Sequence, residues 1–181
     1  MNIFVLDRSP VMSARMLCDA HVVKMIVESC QLLSTHDRIM FNLPDDDIRY
    51  KATHVSHPCR MCLSNDNNYL WLRLHLCELL NEYTRRYDKV HASAELASAC
   101  WQYTIKDDFH GYGDLRGMNL VIGQICKYST LPKCMPDEFK VGGDDIDSVV
   151  ASYRNYYKFK KTSMHRFAYT NRNVPKWLLE A

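Results

Sequence analysis

A chain of 181 residues is long enough for one sizeable core and short for two, so a single domain covering 1–181 is expected. Its 47% hydrophobic and 24% charged residues, with only six glycines, describe a soluble and mainly helical globular protein. No apolar run reaches the roughly 20 residues that span a bilayer, and the opening Met1 to Asp7 has no basic n-region, which argues against a membrane or secreted protein and for the cytoplasm.

In that compartment the eight cysteines are expected as free thiols. The net charge of +2 hides an asymmetry: from Ser148 onward seven basic residues face Glu180 alone, a balance of +6, so the residues before them sum to −4. Such a polarity points to a polyanion-facing end.

In chain order, Ile3 to Leu6 reads as a short strand or an extended entry segment. Ser9-Pro10 is an N-cap with proline at the first helical position, opening a short helix that ends near Cys18. A long helix follows, with Asp19 as its expected cap and its end near Met40. At about 100° per residue, His21, Lys24, Glu28, Gln31 and Thr35 fall on one seam roughly 80° wide. Val22, Val23, Ile26, Cys30 and Leu33 form the expected core face, and Met25, Leu32 and Val27 flank the seam. A solvated helix carries a wider polar face than this, so the seam reads as the floor of a cleft.

Lys24 and Glu28 stand at the i, i+4 spacing at which they pair. A carboxylate beside an amine in a partly dry cleft suits acid-base or Schiff-base chemistry. The plainer alternative is a solvated ion pair with His21 as a structural histidine.

Asn42 to Asp47 is an acidic loop. His54, His57, Cys59 and Cys62 crowd four metal-ligand types into nine residues, a cluster too compact for a familiar zinc spacing, and no tightly bound metal is expected. Ser64 to Asn68 supplies caps for a second long helix, with Leu72, Leu76, Leu79, Leu80, Tyr83 and Tyr87 inward and Glu78, Glu82, Arg85, Arg86 and Lys89 outward. Ser93 to Cys100 reads as a third, shorter helix. Trp101 to Met118 reads as a loop in which a lid over the cleft is one alternative. Leu120 to Tyr128 is helix or strand, and Thr130 to Gly143 is a connector.

The last unit starts at the acidic cap Asp144 to Asp147. Val149, Val150, Tyr153 and Tyr157 are expected inward. Around them Arg154, Tyr156, Lys158, Phe159, Lys160 and Lys161 interleave cations with aromatic faces, and Arg166, Phe167, Tyr169, Arg172 and Trp177 continue the mixture. Cations neutralise phosphates and aromatics stack on bases, so DNA is the expected partner of this segment. The alternative is a terminal helix docked by its aromatics with solvated lysines outside.

The pattern Leu17-x-Asp19-x-His21 with Glu28 seven residues on resembles the active-site helix of the pyrimidine-dimer DNA glycosylases of the phage endonuclease V type. Lys24, the run Gln31-Leu-Leu, His57-Pro58 and Glu82-Tyr-Thr-Arg-Arg-Tyr are similar to a broader phage and bacterial set of that family. The resemblance implies an all-α enzyme, without a cofactor, that flips a nucleotide and attacks the sugar C1′ with an amine. It assigns the essential carboxylate to Glu28 and a site-lining histidine to His21. The family's nucleophile is the α-amine exposed when the initiator Met is removed before a small residue. Asn at position 2 should block that removal, which leaves the amine to Met1 or to Lys24. Val27 and Gln31 are neutral where the family carries DNA-gripping arginines.

Three functions follow as expectations. The first is a repair-type DNA glycosylase and AP lyase acting on a damaged or modified pyrimidine. The others are a phage enzyme that modifies bases in the same pocket and a non-catalytic DNA-binding protein. Neither lesion nor oligomeric state is encoded in these patterns.

Overall fold

The computed structural model describes residues 1–100, 123 and 125–180, and among these residues helix is the regular structure and no strand occurs. The protein is all-α. Ser9 accepts the Met12 amide and Pro10 takes the first turn, giving α1 over Pro10–Arg15. The seam helix is α2, Asp19–Phe41, which closes on Asn42 in the left-handed region, φ 48°. The short α3, Pro58–Met61, leads through a 3-10 turn, Cys62–Ser64, into α4, Asp66–Tyr87. Asn65 caps α4 by accepting the amides of Asn67 and Asn68.

Helix α5 is Ala94–Ala99. The described residues of α6, 123 and 125–128, are helical, which decides the helix-or-strand ambiguity there. A 3-10 turn, Asp137–Phe139, interrupts the connector; α7, Ile146–Ser163, is capped by Asp145, and α8 is Lys176–Leu179. The expected loop at 101–118 lies outside the described residues.

Helices α1 and α2 both pack on α4. Val22, Ile26 and Leu33 of α2 meet Trp71, Leu72, Leu76 and Leu79 of α4 in a core completed by Val149, Tyr153 and Tyr157 of α7. Ile3 to Leu6 is a buried extended segment rather than a strand. Ser13 supplies what a sheet neighbour would: its Oγ accepts the Leu6 amide and donates to the Phe4 carbonyl, each at 2.9 Å.

Three details depart from expectation. The N-cap of α2 is Cys18, not Asp19. The Asp19 carboxylate instead accepts from the Thr170 amide and hydroxyl and from Arg86, tying the start of α2 to the C-terminal segment and to α4. Val23, expected in the core, is 40% exposed, because it lines a surface groove with Tyr87, Arg166 and Thr170.

The third is the inward face of α4. Glu78, Glu82 and Arg86 are buried where a solvated face was expected, while Leu80, Tyr83 and Tyr87 are half-buried. The cause is mutual neutralisation. Arg86 bonds Glu82 Oε2 through Nε and Nη2 at 3.1 and 2.9 Å, its Nη1 reaches the Leu17 carbonyl and Asp19, and Arg172 grips the same carboxylate. Charges enter a core when their partners and remaining donors are satisfied there.

Candidate active site

Core packing turns one side of α2 toward the chain's first residues, and Glu28 is the residue that meets them. Its Oε2 accepts the Asn2 backbone N–H at 2.8 Å, while its Oε1 faces Lys24 Nζ at 3.2 Å. The carboxylate is largely covered, with a side-chain exposure of 14%, whereas the Lys24 side chain is 66% exposed. The pair is therefore only half solvated. One end is fixed by backbone and the other opens to water.

His57 belongs to the same neighbourhood. Burial lowers its pKa, the N-terminal ammonium and His54 lower it further, and Glu28 opposes them. The chain's start, Glu28 and His57 thus share one electrostatic field. The Nδ1 of His57 accepts the Cys59 amide at 3.2 Å, which leaves Nε2 to carry the proton in the neutral ring.

His21 shares the seam by angle but not by contact. It is 6% exposed, stacks on Phe4 at 4.6 Å between centroids, and its Nδ1 sits 2.9 Å from the Tyr157 hydroxyl. Burial, then Lys24 and Lys160, bring its pKa down to about 4, so the ring is neutral at pH 7. Its hydrogen-bond partners are Tyr157 and Cys18, not Glu28.

Val27, next to Glu28 in the chain, and Gln31, a turn further along α2, line a groove of about 280 Å³ with Tyr50, Lys51 and Thr53. Gln31 Nε2 donates to Thr53 Oγ1 at 2.7 Å, so its amide is oriented rather than free to swing. A largely covered carboxylate beside an amine that opens to water can exchange protons with a bound substrate and can supply a nucleophile.

In the compact His/Cys cluster, Cys62 Sγ donates to the Cys59 carbonyl at 3.3 Å. Cys59 is fully buried with its Sγ 3.4 Å from that of Cys134, and His54 has a left-handed backbone, φ 51°. Among the described residues no three His, Cys, Asp or Glu side chains converge as metal ligands would.

The C-terminal residues divide into two groups. Arg154 donates to the Leu6 carbonyl at 2.9 Å and lies over the Trp177 ring, Trp177 donates to Met16, and Arg172 is held by Glu82. These three fasten the segment to the body. Lys158, Lys161 and Arg166 are exposed, and Lys160 Nζ lies 5.0 Å over the half-buried Tyr156 ring. Lys158 and Lys161 also donate to the carbonyls of Glu180 and Leu178, so their ammonium groups are clustered at the C-terminal end of α7.

Sequence reasoning missed Asn2, Cys134 and Tyr153, which surround the chain's start. The Asn2 amide donates to the Cys134 carbonyl at 2.9 Å and its Oδ1 accepts from the Tyr153 hydroxyl at 2.8 Å. Contacts that span more than a hundred residues leave no local signature.

A family model described as pyrimidine dimer DNA glycosylase matches residues 1–95, a stretch that holds α1 to α4 and the Lys24–Glu28 pair. No curated protein and no solved structure matches the chain.

Proposed function

The chain belongs to the pyrimidine dimer DNA glycosylase family, and within that family of DNA glycosylases we propose that it removes a damaged or modified pyrimidine through an amine Schiff base and then cleaves the abasic strand. The observation that carries this reading is the Glu28 carboxylate bracketed by nitrogen, with Lys24 on one oxygen and the chain's start on the other. The amine, from Met1 or Lys24, attacks the sugar C1′ as the glycosidic bond breaks, and the base leaves with its electron pair and takes a proton. Glu28 accepts the proton lost by the amine. Glu28 returns that proton to the ring oxygen as the C1′–O4′ bond opens to the iminium, which acidifies C2′; the freed carboxylate then removes the C2′ proton, and β-elimination breaks the C3′–O bond and expels the 3′ phosphate.

The exposed Lys158, Lys161 and Arg166 and the half-buried Lys160 supply phosphate contacts. The neutral, buried His21 takes a supporting part, holding Phe4 and thereby the segment that follows Asn2.

Borohydride reduction on duplex DNA, either ultraviolet-irradiated or carrying an abasic site, tests the reading. A covalent protein–DNA adduct is expected, and peptide mapping assigns the amine to Met1 or Lys24. No adduct with unbroken strands, but altered bases by mass spectrometry, would favour a base-modifying enzyme. Binding without any chemistry would leave a DNA-binding protein.

A further inference from the structure

The start of the chain is held by a part of the molecule outside the matched residues 1–95. Three groups form a closed circuit. Asn2 Nδ2 donates to the Cys134 carbonyl at 2.9 Å, the Cys134 amide donates to the Tyr153 hydroxyl at 3.3 Å, and that hydroxyl donates to Asn2 Oδ1 at 2.8 Å. Asn2 Oδ1 also accepts the Ile3 amide at 2.8 Å, and the Pro132 carbonyl, 2.9 Å from the Tyr153 oxygen, competes for the single phenolic proton.

Asparagine suits this position because its amide both donates and accepts, and the circuit uses both. Tyr153 is fully buried on α7, and burial raises its pKa well above the ordinary value, so the phenol stays a donor. With its side chain clamped, Asn2 has its backbone N–H aimed at Glu28 Oε2.

We propose that Tyr153, acting through Asn2 and the Cys134 backbone, is a positioning residue that holds the start of the chain against Glu28. The inference rests on the reading of Glu28 as the acid-base group. It explains how residues 130–153, which carry no part of the chemistry, bear on it. A side chain fixed by its own partners holds a reacting group to the geometry that a catalytic step needs, and a small misplacement costs rate rather than binding.

Tyr153→Phe deletes the hydroxyl and keeps the ring. The full-length variant should show Asn2 amide hydrogen exchange, measured by NMR, faster by about tenfold or more, with α2 and α4 core amides unchanged. On abasic duplex, kcat should fall about tenfold with KM within twofold. Tyr69→Phe is the control: it removes another buried phenol, which donates to Asp37 at 2.7 Å, and should leave both readouts unchanged.

Unchanged exchange at Asn2 overturns the proposal whatever the activity. Faster exchange with unchanged kcat, while Glu28→Gln is inactive, overturns the positioning role and leaves the reading of Glu28 standing. If Glu28→Gln is itself fully active, the reading of Glu28 fails and the positioning role with it.

Discussion

Two glutamates sit one turn from a basic residue on the two longest described helices, Lys24–Glu28 on α2 and Glu82–Arg86 on α4, and the fold treats them in opposite ways. Glu82 and Arg86 have side-chain exposures of 1% and 0%, and Arg172 joins them from a distant segment. Every strong acceptor there has a donor from the protein. Glu28 is covered too, but its partner Lys24 is two-thirds in water and its second oxygen meets a backbone N–H near the chain's start. Equal spacing in sequence thus yields a closed brace in one helix and an open site in the other. What separates them is whether a third charge closes the cluster.

The brace should break most expensively. Glu82→Gln takes the counter-charge from Arg172 and one of two from Arg86, which keeps Asp19, and we expect a loss of about 3 to 5 kcal/mol in urea unfolding. Turnover of the remaining folded protein should be normal. A loss below about 1 kcal/mol would place Glu82 in effective contact with water and erase the contrast with Glu28.

Acid probes the same contrast from another side. Burial raises the Glu82 pKa, but hydrogen bonds from Arg172 and Arg86 outweigh it and hold the carboxyl below its ordinary value, so its contribution is present above the usual glutamate range and is lost only as pH falls through the lowered value. Three histidines respond earlier. Burial brings His21 and His36 down to about 4 and His75 to about 3. Below about pH 6.5 the unfolded chain gains protons that these folded rings refuse, so stability is full above that pH and falls toward pH 4. Each ring contributes about 1.4 kcal/mol per pH unit once well below its unfolded pKa. Urea midpoints at pH 7 and pH 5 check this, and equal midpoints would contradict it.

Much of the frame was legible in the sequence because it is encoded locally. Ser9-Pro10, Asn65, the apolar period of α2 and the acidic cap of α7 each specify an element through neighbours a few residues away. The Lys24–Glu28 pair was legible for the same reason. The inward turn of Glu82 was not, since its cause is Arg172, ninety residues on. Nor was the withdrawal of His21 from the seam: a helical wheel fixes its angle, whereas Tyr157 and Phe4 decide where the ring goes. The pairing of Asn2 with Cys134 and Tyr153 is of the same long-range kind.

The C-terminal cations offer a gentler test. Replacing Lys158, Lys160 and Lys161 with Gln should reduce the salt dependence of DNA binding by about 0.9 in log-log slope for each phosphate no longer neutralised, with little change in stability. Among the described residues these ammonium groups are held by carbonyls or lie over a ring rather than paired with carboxylates, so they retain charge to give to a phosphate. An unchanged slope would leave them as fasteners of α8.

The open site is tested most directly by Glu28→Gln in single-turnover reactions on abasic duplex, with thermal unfolding and DNA affinity measured on the same preparation. Glutamine keeps an acceptor for the Asn2 amide, and the loss of a largely exposed Lys24 pairing should cost less than about 1 kcal/mol. The account predicts a rate lower by about 10² to 10⁴ with the melting temperature and affinity nearly unchanged. A large fall in melting temperature with a normal single-turnover rate would make Glu28 a second brace and contradict it.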